Sequence, residues 1–232
     1  MRWMLALFVS ALIPVEIHAT SASYTGVLPS STDVVEVVFT LSGPATIGLQ
    51  TWGFGGGTNA DGQLIVPGGT DPFLGVFSGT GSSATIVTDA SLNPYGTSLD
   101  LSNYGSPDFL GCPPAGELTI GGSPQCGDIT MTLPSLAAGT YTVVLSDGQY
   151  IPLAVYDNGT LGEGFSDLTG GGFCNLSINN VDCSNTSGAY AFDITGLPAA
   201  PVPEPASVLL LLAGVLGLAL IVKRQGLAHD RA

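Results

Sequence analysis

The sequence predicts an all-β protein, an antiparallel β-sandwich of jelly-roll type, from three observations. Apolar and polar residues alternate with a period of two in several short runs. Clusters of Gly, Asn, Asp, Ser and Pro separate these runs, as turns do. Between the two ends of the chain no long stretch has a helical period, and no repeat of constant length indicates a solenoid or a propeller.

Eight strands are predicted in order along the chain. The first two have the clearest alternation: Val35 to Leu41 places every second residue on one apolar face, and the pattern resumes from Ala45 to Thr51 after the turn Ser42-Gly43-Pro44. The other six are short apolar runs between turn-forming clusters, at residues 73–77, 84–88, 129–133, 141–145, 151–156 and 190–194.

The N-terminal residues have the features of a secretory signal peptide. Arg2 supplies a positive charge, and the eleven residues from Trp3 to Ile13 carry none. Eleven apolar residues are too few to span a bilayer, which disfavours a membrane anchor. We expect cleavage after Ala19, with Ala22 as a second candidate. Residues 1–19 are therefore predicted to be the signal peptide and residues 20–197 the exported domain.

The C-terminal region has three parts. Residues 198–205 are rich in proline and predict a stiff, extended spacer. Residues 206–222 carry no charge and would form a helix of about 26 Å, at the short end for a transmembrane helix. Lys223 and Arg224 follow as a membrane stop, which places the basic tail 223–232 in the cytoplasm. A buried core helix is disfavoured because this segment is apolar on every face.

The tail also carries a resemblance. The residues Val202, Pro203, Glu204 and Pro205, followed by the apolar helix and the basic pair, resemble the PEP-CTERM sorting tail of Gram-negative bacteria. The resemblance implies export, transient anchoring in the inner membrane, and processing by an exosortase-type membrane enzyme. Proteins with such tails are usually associated with exopolysaccharide and the biofilm matrix, at the cell surface or beyond it.

The charge distribution excludes several classes of function. The chain has 18 Asp and Glu against 4 Lys and Arg, a formal net charge of −14, and all four bases lie near its ends. The exported domain and spacer contain fifteen carboxylates from Asp33 to Asp193, plus Glu204, and no basic side chain. This composition excludes histidine-dependent hydrolases, Schiff-base enzymes and P-loop nucleotide sites. It also leaves nucleic acids and anionic lipid surfaces without a cationic partner.

The exported domain is similar, more loosely, to exported bacterial domains of unknown function that often carry the same tail. The likeness covers residues 33–195 and also extends to the β-sandwich at the C-terminus of secreted peptidase precursors. It implies an accessory, non-catalytic role. The segments that carry it are residues 50–60, 68–77, 138–145 and 188–193.

The four cysteines predict two disulfides, because exported proteins usually oxidise such residues. Three pairings exist, and proximity in sequence favours Cys112 with Cys126 and Cys174 with Cys183. A closed loop of about 15 residues contributes about 3 kcal/mol in the chain-entropy account. Zinc is disfavoured because the spacing of the cysteines does not match a zinc site.

Calcium is the metal that the oxygen-rich segments favour, because carboxylate and amide oxygens are its usual ligands. The spacing does not match an EF-hand, and the same residue types also form ordinary turns. The first set of candidate ligands comprises Asp157, Asn158, Glu163 and Asp167. A second, poorer set comprises Asn59, Asp61 and Asp71. No other cofactor is indicated.

These observations predict an exported, non-catalytic surface or matrix protein without a catalytic residue. The first alternative is a carbohydrate-binding module, in which aromatic side chains would stack on sugar rings. The second is a glycosidase with two opposed carboxylates. The aromatic residues considered for stacking are Trp52, Phe54, Tyr95, Tyr104 and Tyr150.

Overall fold

The computed structural model describes residues 20–97, 117–120, 123–173, 175–177, 180–182 and 187–198, together with Gly214. For residue 97 and for the parts within 117–126 and 175–182 it describes the backbone alone. The chain divides into two units, residues 1–198 and 199–232, and the sandwich lies within the first.

The described strands are numbered in chain order. They are β1 (Thr20–Val27), β2 (Val34–Leu41), β3 (Ala45–Thr51), β4 (Gly57–Thr58), β5 (Leu64–Ile65), β6 (Pro72–Ser78), β7 (Thr85–Ile86), β8 (Gly96–Thr97), β9 (Glu117–Ile120), β10 (Ser123–Cys126), β11 (Thr130–Leu136), β12 (Gly139–Asp147), β13 (Tyr150–Pro152), β14 (Phe165–Asp167), β15 (Asn175–Ser177), β16 (Asn180–Asp182) and β17 (Ala189–Leu197). One short helix, α1 (Ala154–Asp157), and two 3₁₀ turns, Gly81–Ser83 and Leu161–Glu163, lie among them.

Two antiparallel sheets form the sandwich. The first sheet has the order β1-β17-β3-β11, and the second has the order β2-β12-β6-β7, with β8 also paired to β6. The other strands form two-stranded sheets: β4 with β5, β9 with β10, β13 with β14, and β15 with β16. The prediction of an all-β, antiparallel sandwich is therefore confirmed.

A long paired ribbon connects the two sheets. Strand β2 continues into β3 through Ser42-Gly43-Pro44, and β11 continues into β12 through Ala137 and Ala138. The two segments stay antiparallel partners on both sides of this corner, with β12 beside β2 and β11 beside β3. The ribbon therefore bends as a unit, which places its alternating apolar residues on the inner faces of both sheets.

The core between the sheets consists of the apolar residues that alternate along these strands. Its fully buried members include Ile47, Leu49, Leu74, Val143 and Phe192. Each such side chain contributes about 1.5–3 kcal/mol when it is removed from water.

The outer face of the second sheet is also covered. Residues 150–165 pack over it and form a second cluster, which contains Phe73 and Phe77 of β6 and Val144 of β12. Both faces of these two strands are therefore buried, and their sequences show continuous apolar runs instead of a strict alternation.

Two of the predicted strands differ from the observed elements, and β1 and the short strands β4, β5, β8, β9, β10, β14, β15 and β16 were not predicted. The predicted strand 151–156 is wrong in its second half: β13 ends at Pro152, which cannot donate to a ladder, and α1 begins at Ala154. The predicted strand 84–88 shortens to β7. Strand β1 was not predicted, because its sequence shows little alternation of apolar and polar residues. Its main residue packed against the core is Tyr24, which stacks on Phe192 with ring centroids 5.0 Å apart.

The predicted terminal segments lie outside the described residues. This applies to the signal peptide, 1–19, to most of the spacer, and to the predicted helix 206–222 apart from Gly214. Within the described part of the chain, every helix is too short or too polar to cross a bilayer.

Candidate functional site

Four aspartates are buried at one end of the sandwich, which we call the aspartate end. Here β3 leaves the first sheet, the loop 52–71 leads to β6, and β12 ends. The exposed fractions are 3% for Asp71, 0% for Asp128, 1% for Asp147 and 3% for Asp193. Because the exported domain has no basic side chain, hydrogen-bond donors must take the place of ion pairs here.

Asp193, on β17, joins β1 and the end of β3 to the β4–β5 hairpin. One of its carboxylate oxygens accepts the hydroxyl of Ser23 at 2.6 Å, and the other accepts Nε1 of Trp52 at 2.7 Å and the backbone N–H of Ala60 at 2.8 Å. The Ser23 hydroxyl in turn accepts the N–H of Asp61 at 3.2 Å. This carboxylate thus holds β1, β17 and the β4–β5 hairpin together.

Asp128 holds the glycine-rich turn that follows β3. Its carboxylate accepts the N–H of Gly55 at 2.7 Å and the N–H of Phe54 at 3.3 Å, and it is hydrogen-bonded to the side chain of Thr51. Burial raises the pKa of the Asp128 carboxyl above its ordinary value, and these three donors offset part of the rise. The Thr51 hydroxyl also accepts the N–H of Ile129 at 2.7 Å.

Asp147 and Asp71 lie where β12 meets β6. The Asp147 carboxylate accepts the hydroxyl of Thr70 at 3.1 Å and the N–H of Gln149 at 3.1 Å. The carbonyl of Asp71 accepts the N–H of Gly148 at 2.7 Å. Asp128, Asp147 and Asp193 therefore each bind local donors and stabilise turns, a structural role.

The residues predicted to bind calcium have local partners too. Asn158 ends α1 in the left-handed region (φ 61°) and donates to the carbonyl of Leu92 at 3.1 Å. Glu163 accepts the N–H of Thr160 at 2.8 Å, and Asp167 accepts the N–H and hydroxyl of Thr169 at 3.0 and 2.7 Å. Asp157 is exposed.

No metal cluster follows from this arrangement. Among the described residues, no three or more His, Cys, Asp or Glu side chains are placed to hold a metal ion. In the second set, the amide oxygen of Asn59 accepts the N–H of Gln63 at 2.8 Å. Calcium binding therefore stays a prediction from the sequence.

A cleft opens at the opposite end of the sandwich, and we call it the tyrosine cleft. It has a volume of about 590 Å³ and lies between the end of β6, the loop 87–90 and the corner from β11 to β12. Tyr95 and Tyr141 contribute to its walls. The complete lining consists of Ser78, Val87, Thr88, Asp89, Ala90, Tyr95, Leu133, Pro134, Ser135, Leu136, Ala137 and Tyr141.

A bulge in β11 shapes one side of the cleft. The pairing of β11 with β3 shifts between Leu133 and Leu136, so Pro134 and Ser135 leave the ladder and are exposed. Ser135 has φ 55°, a left-handed conformation that is uncommon for a residue with a side chain. The hydroxyl of Tyr141 donates to the carbonyl of Ala137 at 2.9 Å, which supports the corner from inside.

Asp89 is the one carboxylate among the residues that line the cleft. It accepts the side-chain amide of Asn93 at 3.0 Å and the N–H groups of Asn93 and Ser91 at 2.8 Å each. The hydrogen bond from the Asn93 side chain, helped by the two backbone donors, lowers the pKa of Asp89 below its ordinary value. Its oxygens thus stabilise the loop 89–93.

Sequence reasoning missed the cleft, although one signal was present. Pro134 directly follows a predicted strand, and proline next to a strand often marks a bulge. The buried aspartates also had a signal, since Asp193 lies among apolar residues of a strand, where Asp is depleted.

The aromatic residues considered for sugar stacking differ in their burial and in their contacts. Phe54 and Tyr95 are buried, whereas Trp52 is half-buried and its indole N–H is held by Asp193. Tyr150 is half-buried and stacks on Phe165 at 4.7 Å between centroids. Tyr104 lies outside the described residues.

The other predicted residues lie outside the described part of the chain. They are Cys112, Cys174, Cys183, the side chain of Cys126, the motif Val202, Pro203, Glu204 and Pro205, and the pair Lys223 and Arg224. The disulfide pairing therefore stays a prediction.

Comparison with known proteins identifies the tail. A family model described as the PEP-CTERM protein-sorting motif matches residues 201–225. The match contains Val202 to Pro205 and the basic pair, and it confirms the predicted sorting tail. A search of curated proteins gave no match to the chain, and the likeness of residues 33–195 to exported domains stays a prediction.

Proposed function

We propose that this protein is a non-catalytic component of the surface or extracellular matrix, associated with exopolysaccharide or biofilm. Its PEP-CTERM motif marks it for exosortase sorting to the cell surface. The motif match at residues 201–225 is the observation that carries the proposal. The signal peptide would direct the precursor across the inner membrane. Residues 206–222 would then keep the precursor anchored in this membrane until the exosortase acts.

The chemistry of the exported domain supports a role without catalysis. The carboxylates of Asp128, Asp147 and Asp193 are bound to local donors and stabilise turns. The tyrosine cleft is lined by a single carboxylate, Asp89, whose oxygens accept three donors. A glycosidase needs two carboxyl groups about 5–9.5 Å apart across the substrate, and this cleft offers one.

A carbohydrate-binding module is the second candidate, and the tyrosine cleft is the observation that favours it. Ligand sites are concave and mostly apolar, with a few polar groups that orient the ligand. The cleft is lined by largely buried tyrosine and leucine side chains and by residues that carry hydroxyl groups. The strand order also supports the finer description of the fold as a jelly roll. Strand β17 lies beside β1, and a folded ribbon of paired strands connects the two sheets.

Fractionation of cells that produce the full chain tests the proposal. An antibody against the sandwich should find the mature protein in the surface and matrix fraction, without residues 206–232. Deletion of Val202 to Pro205 should leave an uncut precursor in the inner membrane. Deletion of Pro198 to Pro201 is the matched control, because it shortens the spacer equally but keeps Val202 to Pro205. If the mature protein stays periplasmic or cytoplasmic, the proposal is wrong.

A further inference from the structure

The two ends of the sandwich differ in how their polar groups are used. At the aspartate end, Asp128 and Asp193 each accept two or more donors from neighbouring segments. At the tyrosine cleft, the hydroxyls of Ser78, Thr88 and Ser135 make no hydrogen bond within the described part of the chain. The cleft therefore keeps donors and acceptors available for a ligand, whereas most of those at the aspartate end serve the fold.

The cleft lining defines the chemistry of the ligand. The largely buried side chains of Tyr95, Tyr141 and the leucines form the apolar part of the lining, and the lining residues Ser78, Thr88 and Ser135 carry hydroxyls that can both donate and accept hydrogen bonds. A saccharide matches this combination, because its ring has C–H faces and its edges carry hydroxyls. The volume of about 590 Å³ lies within the range of about 300–1,000 Å³ that ligand sites usually have.

The charge of the cleft lining further limits the class of saccharide that can bind. The cleft lining has no cation, its one charged group is Asp89, and the exported domain contains no basic side chain elsewhere. An anionic polysaccharide would therefore be repelled by Asp89 and would find no cation with which to form an ion pair. An uncharged saccharide meets none, and its hydroxyls can replace the water that solvates the rim.

The backbone at the rim has an unusual conformation. Ser135 adopts φ 55° on the bulge of β11, where glycine would be favoured. Such conformations often occur at functional sites, because the surrounding structure tolerates their cost. Here the bulge places Ser135 among the residues that line the cleft.

We propose that the tyrosine cleft binds uncharged sugar units of an extracellular polysaccharide, with the hydroxyls of Ser78, Thr88 and Ser135 contacting the sugar hydroxyls. The proposal rests on the proposed association with the matrix and names the ligand of that association. It predicts that substitutions at the cleft weaken saccharide binding without changing export or sorting.

Calorimetric titration of the full chain tests the cleft. The chain is kept in a detergent without a sugar headgroup and titrated with soluble gluco-, galacto- and manno-oligosaccharides, and with alginate as an anionic probe. Ala137→Trp places a ring in the cleft and should weaken binding of the neutral probe about tenfold or more. Ala138→Trp is the matched control, because Ala138 is also exposed but does not line the cleft.

A second variant separates binding from folding. Ser135→Gly removes the rim hydroxyl and relieves the left-handed conformation, so it should weaken binding several-fold while stabilising the fold. The proposal is overturned if none of the neutral probes binds at millimolar concentration, if alginate binds as well as they do, or if Ala137→Trp binds like Ala138→Trp. Failure of the proposed function would be distinct: the wild-type chain would then be absent from the surface and matrix fraction.

Discussion

Replacement of Asp128 by alanine should destabilise the exported domain strongly, although Asp128 is far from the tyrosine cleft. The side chain is fully buried and accepts the N–H groups of Phe54 and Gly55. Its removal leaves these two donors and the hydroxyl of Thr51 without their acceptor. Each buried donor that loses its partner costs about 1–3 kcal/mol.

The net loss should be smaller than the sum of these costs. Alanine also removes a carboxylate that burial makes unfavourable, and Gly55 is only half-buried, so water can reach its N–H. We expect a loss of about 2–4 kcal/mol in the free energy of unfolding. This is a large share of the roughly 5–15 kcal/mol that stabilises a typical domain.

Denaturant unfolding monitored by tryptophan fluorescence measures this loss. Trp52 lies two residues before Phe54, and the second tryptophan, Trp3, belongs to the predicted signal peptide. Asp61→Ala is the control, because Asp61 is an exposed aspartate of the same loop and should change stability by no more than about 0.5 kcal/mol. If Asp128→Ala unfolds at the same denaturant concentration as Asp61→Ala, Asp128 does not hold the turn.

Four further outcomes are expected. Burial raises the pKa of Asp128 in the folded protein above 3.8, so the folded protein binds this proton more tightly than the unfolded chain does. The resulting contribution to the free energy of unfolding is complete below pH 3.8 and is lost as the pH rises through the raised pKa. Asp128→Asn should therefore flatten this decline of the free energy of unfolding with pH, which denaturant unfolding at several pH values measures. Gly69→Ala should destabilise in a thermal melt, because its Cβ would overlap the carbonyl oxygen of Ala189, whereas Gly62→Ala, which meets no neighbour but has φ 77°, should cost only the backbone strain. Ser135→Gly should raise the free energy of unfolding by about 0.5–1 kcal/mol, and an unchanged or lower value would show that the bulge is not strained. Non-reducing peptide mapping of the exported protein should join the predicted cysteine pairs, and free thiols would contradict them: Cys112 with Cys126 and Cys174 with Cys183.

The sequence by itself determined the central strands of the sandwich and the identity of the tail. Along β2 and β3, every second side chain is apolar, and this local pattern is sufficient to predict strands that are buried on one face. The tail was predictable for a similar reason, since its spacer, apolar segment and basic pair are contiguous, and the family match confirms it. The absence of bases from the exported domain likewise followed from composition alone.

Tertiary structure decided the elements whose partners are distant in the chain. Strand β1 has little alternation of its own and exists because β17, far along the chain, pairs with it. The apolar run 151–156 packs on the outer face of the second sheet, and this contact accommodates the turn of helix α1 where the pattern predicted a strand. Local pattern cannot distinguish these outcomes, because both bury the same apolar side chains.

The roles of the polar residues also depended on the tertiary structure. Asp193 looked like one carboxylate among sixteen, yet its partners Ser23 and Trp52 come from two other strands or their ends. The tyrosine cleft arises where the end of β6, the loop 87–90 and the bulge of β11 converge, and these segments are far apart in sequence. A site assembled from such segments leaves no spacing to read, because hydrogen bonds and packing act between neighbours in space.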